Sequence, residues 1–172
     1  MPKIIENVKE QLLAEAERQI KEFGYSKTTI RSVAGACGLG VGTVYNYFQS
    51  KDVLIASFML EDWQRTLTKM RSVDSREPRV VLLAVYNSLG EFIDSHRTLF
   101  SDPDAAKSFG ASHTGYHKLL RRQIADTVIP VLSKTAENGE FLAEFIAESV
   151  LTWTMEGRDF ADIYSILESI IK

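Results

Sequence analysis

Thr28, Thr29, Arg31, Val41, Gly42, Thr43, Tyr45, Asn46, Tyr47 and Lys51 crowd into one short stretch, and no carboxylate lies among them: the flanking acids are Glu22 and Asp52. Hydroxyls, a guanidinium, an ammonium and an amide, free of neighbouring negative charge, are the groups that bind a phosphate backbone and read base edges. Lys27, Arg31 and Lys51 make the stretch positive although the whole chain carries −3. The positive charge is therefore local, which excludes a protein that coats nucleic acid over its entire surface. Val41, Thr43, Asn46 and Tyr47 are the candidates for base edges: an asparagine pairs with adenine, and a valine or threonine methyl packs on a thymine methyl. Tyr45, Lys51 and the threonine hydroxyls suit phosphate, and Arg31 suits phosphate or guanine. Lys51 opens a helix, where free backbone N–H groups favour an anion.

Two short helices must position these groups. Ile30, Val33, Ala34 and Cys37 fall on one helical face. Gly38 follows, where a helix stop in left-handed conformation favours a residue without Cβ. Val44 and Phe48 resume an apolar helical spacing and leave the polar residues between them to point outward. Two helices joined by a tight glycine turn make a helix-turn-helix, whose second helix can lie in a major groove. A preceding helix over 3–23, with Ile5, Val8, Leu12, Ala16 and Ile20 on one stripe, buttresses the pair and stops at Gly24. Thr28 or Thr29 caps the second helix, and Ser50 caps a fourth, which runs to about Met70.

The run Thr28-Thr29-Ile30-Arg31, Val33-Ala34, Ala36, Gly38-Leu39, Gly42-Thr43-Val44-Tyr45, Tyr47-Phe48 and Ser50-Lys51 resembles the N-terminal DNA-binding domain of the TetR family of one-component repressors. The resemblance covers about the first third of the chain. It departs at Gly40, where the family often opens the recognition helix with a small polar residue. It implies a homodimer on pseudo-palindromic double-stranded operator DNA, released by a small-molecule effector of unknown identity.

From Arg79 every strong pattern is helical, so the fold class expected is all-α: an N-terminal three-helix helix-turn-helix domain over 1–50 and a helical effector-binding and dimerisation domain over 51–172. A polar boundary lies at 72–78. Leu82, Val85, Leu89, Phe92 and His96 form one stripe. Pro103 opens a short helix closed by Gly110, and a further helix from Ser112 to about Glu137 bends or breaks near Pro130. The last two helices, about 140–156 and 159–171, are apolar on two sides. Ala143, Ala147 and Leu151 run beside Phe145 and Trp153, which suits a four-helix interface between two copies. Trp63, Tyr86, Phe92, Phe100, Phe109, Tyr116 and Trp153 are the aromatic candidates for lining an effector pocket.

Other chemistries find little support. His113 and His117 are four apart, but no third ligand accompanies them, so no metal is assigned. Cys37 lacks a flanking base and reads as a small core residue rather than a redox sensor. With one cysteine there is no internal disulfide. No nucleophile–base pair or phosphate-binding glycine loop points to an enzyme, and no cofactor is expected. Glu6 and Glu10 interrupt any secretory signal, and no apolar run reaches the roughly 18 residues of a membrane span. The compartment expected is the cytoplasm. A second reading stays open: a regulator docked on DNA that recruits another protein and takes no small-molecule ligand.

Overall fold

The computed structural model describes residues 7–132 and 139–171, with 110–116 described by their helical backbone alone. The elements are α1 (Val8–Phe23), α2 (Ile30–Ala36), α3 (Val41–Tyr47), α4 (Lys51–Arg71), α5 (Pro78–Ser95), α6 (Arg97–Phe100), α7 (Pro103–Val128), a 3-10 turn (Ile129–Val131), α8 (Gly139–Met155) and α9 (Phe160–Ile171). No strand occurs among the described residues, and the all-α class stands.

The chain divides into two compact units, residues 1–62 with 96–111 and residues 63–95 with 112–172. In the first, Leu12, Ala16 and Ile20 of α1 bury against Ile30, Val33 and Ala34 of α2, Val44 of α3 and Phe48. Leu54, Ile55 and Phe58 of α4, Leu99 of α6 and Ala105 of α7 complete the same core. Burying each large aliphatic side chain is worth roughly 1.5–3 kcal/mol. The packing unit is thus wider than the 1–50 expected to bind DNA, because three short helices alone leave apolar faces that the start of α4 and residues 96–111 cover. In the second unit α5 packs on α8 and α9, and α8 on α9. Leu82, Val85 and Leu89 of α5 and Ile146, Ala147 and Val150 of α8 are all buried.

Local chemistry explains most boundaries. Thr29 caps α2 through a reciprocal box, its Oγ1 accepting the Ser32 N–H and the Ser32 hydroxyl oxygen accepting the Thr29 N–H, each at 3.0 Å. The Ser50 hydroxyl oxygen accepts the Val53 N–H at 3.2 Å at the start of α4, and α5 opens on Pro78, which lacks the N–H a first turn would leave unpaired.

Two expectations are corrected, those for Gly110 and His96, and two run into residues that are not described. Residues 3–6 of the first helix lie outside the described residues. Gly110 does not close a helix: α7 runs through it to Val128, since one interior glycine costs only about 1 kcal/mol. The break expected near Pro130 is present: α7 ends at Val128 and Pro130 sits in the 3-10 turn, while 133–138 lie outside the described residues. His96 leaves the α5 stripe. It lies in the turn before α6, buried, with Nε2 3.1 Å from Asp62 Oδ2 and its ring stacked on Phe58.

Candidate nucleic-acid interface

The geometry of the helix-turn-helix is set by the turn. Cys37 ends α2, and Gly38 takes φ +66°. The Leu39 N–H donates to the Ala34 carbonyl at 2.8 Å and the Gly38 N–H to the Gly35 carbonyl at 3.1 Å. This paired closure fixes the direction in which the chain leaves α2. Any residue with a Cβ at 38 would sit in a conformation that costs about 1–2 kcal/mol. Gly40 then precedes α3 without a side-chain cap, and the Thr43 N–H donates to the Gly40 carbonyl at 2.9 Å. Within α3 only Val44 is buried, so the helix is anchored by one apolar residue and followed by buried Phe48.

That anchoring turns the polar side outward. Tyr45 is 52% exposed and Tyr47 49%; Asn46, Gly42, Thr29 and Arg31 are exposed, and Val41 and Thr43 half-buried. Among the described residues, the side chains of Arg31, Tyr45, Asn46 and Tyr47 form no internal hydrogen bond or ion pair. A Cβ at Gly42 would meet nothing within 4 Å, so nothing inside the chain demands glycine there. Val41 packs partly against the core, which draws it back from the outermost position.

Two residues depart from the expected face. Thr28 is 1% exposed and its hydroxyl donates to the Gly24 carbonyl at 2.9 Å. It locks the loop between α1 and α2 and offers no hydroxyl to a ligand. Lys51 is half-buried. Its Nζ lies 3.5 Å from the centre of the Tyr25 ring and donates to the Tyr25 carbonyl at 3.0 Å. Burial lowers its pKa from the ordinary value, while Asp52, Asp102 and Asp104 pull the other way. Asp102 and Asp104 belong to the start of α7, so folding brings acid to one edge of a stretch that is acid-free in sequence. No local pattern announces this. Cys37 is half-buried rather than core; burial and then Glu15 raise its pKa, so the thiol form is held.

The aromatics proposed for an effector pocket fall in separate places. Trp63 and Phe92 are buried in the second unit with ring centres 5.3 Å apart, and the Trp63 Nε1–H donates to Gln123 Oε1 at 2.7 Å. Tyr86, half-buried in the same unit, donates its hydroxyl to the Arg158 carbonyl at 3.0 Å. Trp153 is exposed beneath the Arg158 guanidinium. Phe100 and Phe109 belong to the first unit instead: Phe100 is exposed beside His96, and Phe109 packs edge-on to Tyr25. Tyr116 and His113 lie outside the residues whose side chains are described. His117 Nε2 lies 3.7 Å from Glu148 Oε1. Among the described residues no group of three or more His, Cys, Asp or Glu side chains is placed to hold a metal ion, and no helix is long and apolar enough to cross a membrane.

Comparison with known proteins places these observations. Residues 12–58 match the model for bacterial regulatory proteins of the tetR family. The chain is similar to a helix-turn-helix transcriptional repressor of Mycobacterium tuberculosis, 29% identical over 120 residues, covering 63% of this chain and 62% of that one. It is similar to the regulator BetI of Burkholderia mallei, 37% identical over 78 residues, 44% of this chain and 40% of that one. The matched part thus spans less than two thirds of the length of these curated relatives. Among solved structures, a TetR-family regulator from Streptomyces coelicolor shares the fold with a TM-score of 0.64 at 13% identity, covering 95% of this chain and 94% of that one. FadR of Thermus thermophilus, solved with lauroyl-CoA, shares it with a TM-score of 0.61 at 22% identity, covering 95% and 92%. The matched segment holds α2, its glycine turn and α3, and residues 12–58 are thereby a DNA-binding segment of the tetR family of bacterial regulatory proteins.

Proposed function

We propose that the chain is a ligand-responsive transcriptional repressor, without enzymatic activity, that acts in the cytoplasm as a homodimer on a pseudo-palindromic operator. One observation carries the reading: Thr29, Arg31, Tyr45, Asn46 and Tyr47 stand exposed on two helices fixed by a closed glycine turn. Asn46 and Tyr47, with Thr43 and Val41 behind them, read base edges; Thr29, Arg31 and Tyr45 hold phosphate, and Gly42 lets the backbone come close. Two such helices about one duplex turn apart read the two half-sites. Residues 1–50 supply the contacts and 51–172 the dimer and effector functions.

The dimer forms through α8 and α9. The small-residue stripe Ala143, Ala147 and Leu151 turns inward, and the aromatic stripe turns out, with Phe141 71% exposed and Phe145 and Trp153 beside it. Ile166 and Ile170 of α9 are exposed as well. Apolar area of this kind on two adjacent helices suits a second copy. An effector acts by binding one spacing of the recognition helices better than the other, and shifts operator affinity by that difference and no more. Trp63, Phe92 and Tyr86 are the effector candidates in the second unit; lauroyl-CoA, bound by the similar Thermus FadR, is the first compound to try.

Titration of duplex DNA into wild-type and Arg31→Ala protein tests the face. The expected result is weaker binding and a salt slope reduced by about one. Unchanged affinity and slope would remove the assigned face, and a lauroyl-CoA titration that leaves affinity unchanged would remove that effector while leaving the face standing.

A further inference from the structure

The half-buried lysine at the edge of the DNA face is held on Tyr25, which parts of the chain distant in sequence fix in place. Lys51 caps the Tyr25 ring and bonds the Tyr25 carbonyl. Tyr25 is in turn fixed from two sides. Its hydroxyl donates to Asp52 Oδ1 at 2.5 Å and shares a 2.7 Å hydrogen bond with Ser108 Oγ of α7. Its ring meets Phe109 edge-on at 6.2 Å. The Tyr25 and Ser26 N–H groups help to lower the pKa of Asp102, and the Ser26 hydroxyl donates to Asp104 Oδ2 at 2.7 Å. Asp102 Oδ1 also accepts the Asp104 and Ala105 N–H groups, at 2.9 and 3.2 Å, and so starts α7.

The arrangement differs from an ordinary surface ion pair. The ammonium is not matched to one carboxylate; it sits on a ring and a carbonyl, with the charges of Asp52, Asp102 and Asp104 around it. A cation over a partly desolvated aromatic face is held more firmly than one at an exposed site. A phosphate competes with the Tyr25 ring and carbonyl for the Lys51 ammonium. The loop cannot move without disturbing Asp102, Asp104 and Ser108.

We propose that this cluster is an autoinhibitory latch: Tyr25 stores Lys51 in the DNA-free protein, and the first turns of α7 hold Tyr25, so that the engagement of Lys51 with phosphate is set by how firmly α7 grips the loop. The proposal rests on the DNA-face reading above. It also gives α7 a route to DNA affinity that requires no contact between α7 and DNA.

The full chain and a mixed-sequence DNA duplex about three helical turns long, at low ionic strength, test the latch. Ser26 and Asp104 are exposed, so Ser26→Ala and Asp104→Asn leave the fold intact. Asp104→Asn should raise affinity about 3- to 10-fold in the chain that has Lys51. In a Lys51→Ala background the gain should shrink to the small uniform effect of one lost negative charge. Ser26→Ala, which changes no charge, should move affinity in the same direction and only when Lys51 is present. Equal gains in both backgrounds, or none in either, overturn the latch. A second measurement is independent of variants: the Lys51 side-chain ε protons should show an upfield ring-current shift in the free protein, lost on saturation with duplex. Retention of that shift in the complex overturns it. A wild-type chain that binds no duplex at any salt would instead remove the DNA face, and the latch with it.

Discussion

Asp102 shows how one side chain can organise a site it does not belong to. Burial alone would raise its pKa, but N–H bonds from Ala105, Asp104, Tyr25 and Ser26 outweigh burial and hold it below the ordinary 3.8. Its proton is therefore bound less tightly in the folded chain than in the unfolded one. The resulting stability is complete above the ordinary value and is lost as the pH falls through the lower folded value. Asp102→Asn protein should accordingly lose less of its melting temperature than wild type between about pH 5 and pH 3, although it starts from a lower value at neutral pH. Parallel acid titrations followed by helical circular dichroism decide this, and identical slopes would mean that the bonds to the loop contribute nothing. The same scale shows where residue type misleads. Thr28 and Thr29 carry the same hydroxyl and are neighbours, yet one is buried on the Gly24 carbonyl and the other caps α2. Lys51 looked like a phosphate ligand by type and place, and it is that type, a long chain with a cation, that lets it fold back over Tyr25.

At the scale of elements, what is decided locally was legible and what is decided by packing was not. The segment α2–turn–α3 follows from its caps, Gly38 and the spacing of Ile30, Val33, Val44 and Phe48, all within a few residues of one another. The arrival of Asp102 and Asp104 beside Tyr25 follows from contacts about 80 residues apart in the chain, and spacing says nothing of these. Helical spacing likewise identified both apolar stripes of α8 but not which one turns inward. The glycines of the helix-turn-helix separate by the same logic. Gly35 has helical dihedrals, lies within α2, and a Cβ there would meet nothing within 4 Å. Gly35→Ala should stabilise by about 0.5–1 kcal/mol, seen as a melting temperature higher by about 2–4 °C per kcal/mol. Gly38→Ala, with equally open space but φ +66°, should destabilise by about 1–2 kcal/mol. Thermal melts of the two variants should move in opposite directions; a shift of the same sign in both would mean that the turn is not held as described.

For the whole molecule, Phe141, Phe145, Ile166 and Ile170 of α8 and α9 stay exposed among the described residues, and their cost in water is what a second copy would relieve. Ile166, 68% exposed, stands one turn from Ile170. In a two-fold interface each substitution acts twice, once in each copy. Losing a buried isoleucine is worth roughly 1.5–3 kcal/mol per copy, so Ile166→Glu should weaken self-association by about a hundred- to ten-thousandfold. Leu60→Glu alters an apolar residue that is also exposed but lies on α4 in the first unit, and should leave association unchanged. Sedimentation velocity over a range of concentrations would separate them. Dimer loss with Ile166→Glu should also cost operator affinity without touching the DNA face, because a single half-site contact loses the gain from simultaneous engagement of two. If both variants associate as wild type does, the last two helices are not the interface, and the two-half-site reading needs another pairing of copies. If Leu60→Glu alone dissociates the protein, the interface lies on the first unit, and the exposed face of α8 and α9 is left for a different protein.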